Sequence, residues 1–246
     1  MKRFISFYIL LATLLYGNIL KTPLLSVNED EATIAANGLK VGMSGFIVHQ
    51  FTPDHSTIIN TAIVTKSDGK NATLKLSKFT MFVNNNLPSF KLKAQKGDIA
   101  ILAFGYNRGL LIAPNEKIYY TIKNAMRGEV LAHPDIFATL LSAHGHPSPQ
   151  KEDFQTLCNN LSIGLLFFYI DQKLYSVDCN SFAIIDVQNA PLEQKNTQLP
   201  FYSRIEKIEA NWFGAGSDEM KDYASYYKQL LQDANQNNTT ILSEGN

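Results

Sequence analysis

Charge is scarce in this chain and balanced in sign. Asp, Glu, Lys and Arg make up 18% of the residues, below the usual quarter, with 22 basic against 22 acidic side chains. No basic stripe exists to track a phosphate backbone, so a nucleic-acid partner is excluded. No Gly-x-Ser-x-Gly elbow occurs, and Asp54-His55-Ser56 places the three triad residue types consecutively, where their side chains point apart. No glycine loop ends in Gly-Lys-Ser/Thr. Gly42-Met43-Ser44-Gly45 and Gly105-Tyr106-Asn107-Arg108-Gly109 therefore read as turns rather than phosphate cradles. Internal repeats are absent. After the first twenty residues no apolar run approaches the roughly 20 residues of a membrane span. The longest, residues 161–170, reads as a buried strand.

What is present begins at the N-terminus. Lys2 and Arg3 precede an apolar stretch over residues 4–15, interrupted only by Ser6 and Thr13. That layout predicts a signal peptide or a retained N-terminal membrane anchor over residues 1–20. No Cys follows the run, so a lipidated N-terminal Cys is not expected. Export in turn governs how Cys158 and Cys179 are read. An even count in an oxidising compartment predicts a disulfide, the alternative being two buried thiols. Closing a loop of about 20 residues is worth roughly 3 kcal/mol.

The remaining chain is long enough for one large domain or two small ones, and 45% hydrophobic residues support a packed core. Residues 21–37, with Pro23 and Glu29-Asp30-Glu31, read as a linker or lead-in strand. Residues 39–113 form a β-rich unit, a small barrel or sandwich with at least five strands. Asp68-Gly69 supplies a hairpin turn, and Ala72, Leu74 and Leu76 alternate with Thr73, Lys75 and Ser77 at the strand period.

Residues 114–187 predict an α+β unit. Ile118, Tyr119, Ile122 and Met126 recur at helical spacing. A second helix spans residues 136–143, and a third starts with Ser148 as N-cap and Pro149 in the first turn. Strands follow at residues 163–170, 174–177 and 182–187, giving a sheet with helices on one face. A loop and helical tail occupy residues 188–233. There Ser217-Asp218-Glu219 caps a helix over residues 220–233, with Tyr223, Tyr226, Tyr227, Leu230 and Leu231 on its apolar side. Residues 234–246 are polar and predict a disordered end. The fold class is thus α+β.

Histidines are the remaining chemical candidates. His144-Gly145-His146 suggests a metal, but no Glu or third His stands at helical spacing to complete it, and the pair reads as a polar loop at a helix end. His49 and His55 flank a turn and read as surface polarity. No catalytic residue, metal or cofactor is assigned, and the protein reads as a non-enzyme.

Val41-Gly42-Met43-Ser44-Gly45-Phe46-Ile47-Val48-His49-Gln50-Phe51 resembles the N-terminal domain of the plasminogen-binding surface proteins of spiral gastric and enteric bacteria. The resemblance continues through Gly97-Asp98-Ile99-Ala100, Leu110-Leu111-Ile112-Ala113-Pro114-Asn115, Cys158-Asn159-Asn160 and Asp178-Cys179-Asn180-Ser181-Phe182. It returns at Trp212-Phe213-Gly214 and Tyr226-Tyr227-Lys228, covering about residues 39–231. It implies an exported cell-surface or outer-membrane protein that captures host plasminogen through lysines, above all lysines of a C-terminal tail. Ser243-Glu244-Gly245-Asn246 carries no Lys, so no residue is transferred to that end. Internal pairs of Lys and acid are then the candidates, with Lys207, Lys221 and Lys228 as partner-binding residues. The alternative is a periplasmic structural or assembly protein that works among envelope proteins and has no plasminogen role.

Overall fold

Alternation of apolar and polar side chains rolls the first part of the chain into a closed barrel. The computed structural model describes residues 19–35, 38–79, 92–210 and 216–243, with side chains described as far as residue 236. Most of the expected signal segment, and Trp212-Phe213-Gly214, lie outside them. The six barrel strands are β1 (Leu20–Asn28), β2 (Glu31–Ala35), β3 (Ser44–Thr52), β4 (His55–Ser67), β5 (Asn71–Lys78) and β6 (Ile99–Leu102). Their order is β1-β2-β5-β4-β3-β6, and β1 closes the ring on β6 through the pairs Leu20↔Leu102 to Pro23↔Ile99. Closure removes every free sheet edge. Leu24, Ala32, Ile34, Ile47, Ala62, Val64, Leu74 and Leu102 fill the interior.

Of the two readings of residues 21–37, strand rather than linker holds for the described part. Residues 21–35 belong to the β1–β2 hairpin, with Glu29 in the left-handed region (φ 50°) at its turn. Pro23 and the acidic trio mask a strand pattern whose inward positions are Leu24, Ala32 and Ile34. The Asp68-Gly69 turn forms as its sequence predicts: Asp68 Oδ1 accepts from the N–H groups of Lys70 and Asn71, and Gly69 sits at φ 86°.

The second unit begins with β7 (Arg108–Ile112), which pairs with the second sheet rather than with the barrel. It continues as α1 (Glu116–Ala125), β8 (Val130–Ala132), α2 (Pro134–His144), α3 (Lys151–Leu161), β9 (Leu165–Ile170), β10 (Lys173–Asp178), β11 (Ile184–Asn189) and α4 (Tyr223–Ser243). The sheet order is β11-β10-β9-β7-β8. The β7–β8 and β7–β9 pairs are parallel, the others antiparallel.

Every residue of β9 is buried because both faces of the sheet are covered. Leu165, Phe167 and Tyr169 join a core shared with the barrel and α1, whereas Leu166, Phe168 and Ile170 join a core made with α2, α3 and α4. The helices are therefore not confined to one face: α1 and the barrel supply the second cover. That double cover explains why residues 161–170 read as a continuous apolar run.

The helix starts differ from expectation in two places. Gln150, not Ser148, precedes α3, and its N–H donates to Asp153 Oδ2 at 2.8 Å. The Ser148 hydroxyl instead donates to the carbonyl of Asp218. Helix α4 starts at Tyr223, where Asp222 Oδ1 accepts from Ser225 N–H at 2.8 Å, and it runs to Ser243. Asn235 anchors the later turns, donating to Phe182 O and accepting from Ile184 N–H. Among the described residues no helix is long and apolar enough to cross a membrane.

Candidate functional site

The barrel and the sheet meet at one buried carboxylate. Asp178, at the end of β10, is fully buried. Its Oδ2 accepts from Ser44 N–H (2.9 Å), Ser44 Oγ (2.8 Å) and Tyr106 OH (2.6 Å). Its Oδ1 accepts from Asn180 N–H (3.0 Å) and Ser181 N–H (2.8 Å). Burial pushes the carboxyl above its ordinary range, against the opposing pull of donors from Tyr106, Ser181 and Ser44. With its oxygens occupied by these donors, the group is a junction rather than a general base.

The same seam explains two glycines. A Cβ on Gly42 would collide with the Ala183 side chain, and one on Gly45 with the backbone of Ile101 and Leu102. Ser181 Oγ donates to Gly42 O at 2.7 Å. Two of the sequence stretches that carry the family resemblance, around Gly42-Ser44-Gly45 and Asp178-Ser181, thus meet across 134 residues of chain. Sequence reading finds each stretch, but no periodicity reveals their contact.

Cys158 of α3 and Cys179, directly after β10, form the expected disulfide, with Cα atoms 6.3 Å apart. A cleft opens beside it, lined among others by Phe46, Phe104, Ser162 and Asn180. Its volume of about 50 Å³ holds water, not a cofactor-sized ligand. None of the five histidines lines it.

The candidate lysines lie elsewhere, on the side of the sheet covered by α2, α3 and α4. Each is exposed and each adjoins a buried anchor of that core: Lys207 precedes Ile208, Lys221 follows Met220, and Lys228 follows Tyr227. The segment bearing Lys207 is pinned to α2 by Arg204, whose N–H and Nε donate to Asp135 at 2.8 and 2.7 Å. Tyr223 OH donates to the carbonyls of Ile112 and Tyr169, and Tyr227 OH to Pro200 O, which fixes α4. Lys207 Nζ stands 3.7 Å from Glu209. Lys228 pairs with Asp171 in the β9–β10 turn, and that carboxylate, with Asp222 further off, holds its ammonium above the ordinary lysine range.

Histidine placement departs from expectation. His49 is not surface polarity: its Nδ1 lies 2.7 Å from Asp98 Oδ1, tying β3 to the turn before β6. His55 stays exposed and meets Thr52, so His49 and His55 do not converge. His144 and His146 do find a carboxylate. Gly145, at φ 69°, ends α2 and reverses the chain, so that α3 delivers Asp153 between the two rings. Helical spacing alone misses this partner, because it comes from the next helix.

Comparison with known proteins gives the chain its relatives. The family model described as plasminogen-binding protein pgbA N-terminal matches residues 19–231. Two curated relatives, both named plasminogen-binding protein PgbA, come from Helicobacter pylori strains J99 and 26695. They are 27% and 26% identical over 200 residues, which is 80% of this chain and 44% and 43% of theirs. The chain thus spans less than half the length of these relatives. No solved structure matches it.

Proposed function

The chain belongs to the plasminogen-binding PgbA N-terminal family, and from that premise we propose that it captures plasminogen through internal lysines, namely Lys207, Lys221 and Lys228. One observation carries the reading. Each of the three lysines is exposed beside a buried neighbour in sequence, and two of the ammonium groups have a carboxylate partner, Glu209 at Lys207 and Asp171 at Lys228, while Asp222 follows Lys221 in sequence. Kringle modules capture an ammonium together with a nearby carboxylate, and a fixed backbone lowers the ordering cost of presenting both.

The test is binding of plasminogen to the immobilised full chain, with and without a soluble lysine analogue. Competition by the analogue is expected, together with at least tenfold weaker binding by the Lys207→Gln/Lys221→Gln/Lys228→Gln variant at unchanged melting temperature. Binding that ignores the analogue, or survives in the triple variant, overturns the lysine mechanism.

The reading includes export to the cell envelope, with residues 1–20 as signal or anchor and the protein exposed at the surface. The disulfide supports export, since such bonds persist in oxidising compartments. Protease treatment of intact cells should remove the protein. Full protection, lost only when the outer membrane is opened, would favour a periplasmic structural or assembly role instead.

A further inference from the structure

The turn between α2 and α3 gathers three metal-ligating side chains from two helix ends. Asp153 Oδ1 lies 2.9 Å from both His144 Nδ1 and His146 Nδ1, and His146 Nδ1 is also 2.9 Å from Asp153 Oδ2. The potential ligand atoms of all three residues lie within 4.8 Å of one another. The carboxylate is buried, with only 3% of its side chain exposed, whereas the His144 and His146 side chains are 39% and 27% exposed. One acid is therefore held inside, and two imidazoles stand between it and solvent. That is a built site with an entry path.

The supports around it are independent of any ion. Asp153 Oδ2 accepts the Gln150 N–H, which fixes the carboxylate at the first turn of α3. The left-handed Gly145 sets the two rings on either side of the chain reversal. Gly216 closes over His146, where an added Cβ would lie 3.0 Å from the ring. A carboxylate only accepts, so both Nδ1 atoms carry hydrogen in the metal-free state. A cation would take the place of those two hydrogens, each neutral ring then carrying its hydrogen on Nε2.

We propose that His144, His146 and Asp153 bind one divalent transition-metal ion of the zinc class. Two imidazole nitrogens and one carboxylate oxygen suit zinc, which takes such ligands at about 2.0–2.2 Å. Tetrahedral ligands at that radius stand about 3.3 Å apart, so the two His–Asp separations of 2.9 Å have to open slightly, within a group whose ligand atoms all lie within 4.8 Å of one another. The donor set does not suit magnesium or calcium, which favour oxygen alone. Three protein ligands leave one position for water or a partner's side chain. The ion would also clamp the start of α3, whose far end the Cys158–Cys179 disulfide already holds. Metal and disulfide would then fix both ends of a single helix, so zinc stabilises the folded state by mass action.

The experiment uses the tag-free full chain, stripped with chelator and titrated with Zn²⁺ by calorimetry and with Co²⁺ by visible absorption. One equivalent of Zn²⁺ is expected, with a rise in melting temperature and the intense visible bands of low-coordinate Co²⁺. His144→Ala should weaken binding at least tenfold, and His144→Ala/His146→Ala should abolish both the uptake and the thermal shift. Asp153→Asn keeps an oxygen for the Gln150 N–H and should weaken binding while circular dichroism stays native. Folded wild type that takes up no stoichiometric Zn²⁺ overturns the proposal. So does uptake that is unchanged in the folded double-histidine variant or in Asp153→Asn.

Discussion

At the scale of single residues, the decisive group is Asp178. Its burial would be costly without donors, because an unpaired buried polar group costs about 1–3 kcal/mol and a charge more. Five hydrogen bonds offset that cost, and two of them come from Ser44 in the barrel. Removing the carboxylate reverses the ledger and strands the donors of Ser44 and Tyr106. Asp178→Ala is therefore expected to destabilise by about 3 kcal/mol or more. Ser44→Ala should cost less, since its backbone N–H remains. A double-mutant cycle between the two, read from urea unfolding, should give a coupling of about 0.5–3 kcal/mol. Simple additivity would mean that the seam does not transmit load between barrel and sheet. Little of this was legible in the sequence. Gly42, Ser44 and Gly45 read as an ordinary turn, because the reason for each glycine is a neighbour far along the chain.

At the scale of elements, legibility followed periodicity. The face of α4 carrying Tyr223, Tyr227 and Leu231 was readable because those residues recur at helical spacing, and all three are buried. Its start was misread: Ser217-Asp218-Glu219 has the composition of a cap, but the helix begins at Tyr223, with Asp222 accepting from Ser225 N–H. Strand β8 was missed because three residues, Val130–Ala132, carry no pattern. The metal-type cluster was half legible: the His144-Gly145-His146 spacing stood out, but Asp153 arrives by a tertiary turn.

The α4 cap yields a pH prediction. The Ser225 side chain and then its N–H hold the Asp222 carboxyl below its ordinary value of 3.8. The folded state therefore binds fewer protons than the unfolded one near that pH. The cap's stabilisation is complete above about 3.8 and is lost as pH falls through the lower folded value. Asp222→Ala should cost about 1 kcal/mol at neutral pH. Its deficit relative to wild type should shrink on acidification toward pH 3, as followed by thermal melts. A deficit that stays constant across that range would remove the carboxylate from the cap.

At the scale of the whole molecule, the question is whether barrel and sheet unfold together. Chains of this size often unfold in steps. Here one apolar cluster runs without a break from Ile34, Val64 and Leu102 in the barrel to Leu165, Phe167 and Tyr169 on the sheet. The Asp178 junction crosses the same seam. Neither unit can detach without exposing the other's core, so a single cooperative transition is expected. The two halves can be watched separately, because the four helices among the described residues belong to the sheet unit. Circular dichroism at 222 nm follows that unit, and hydrogen exchange by mass spectrometry on peptides of β2, β4 and β5 follows the barrel. Their midpoints in denaturant should coincide. Reducing the Cys158–Cys179 bond should lower both midpoints together, by about 3 kcal/mol of stability, because the bond acts mainly on the unfolded chain. Barrel peptides that exchange while the 222 nm signal remains native would show two independent units. The shared core would then be a docking face rather than one folding unit.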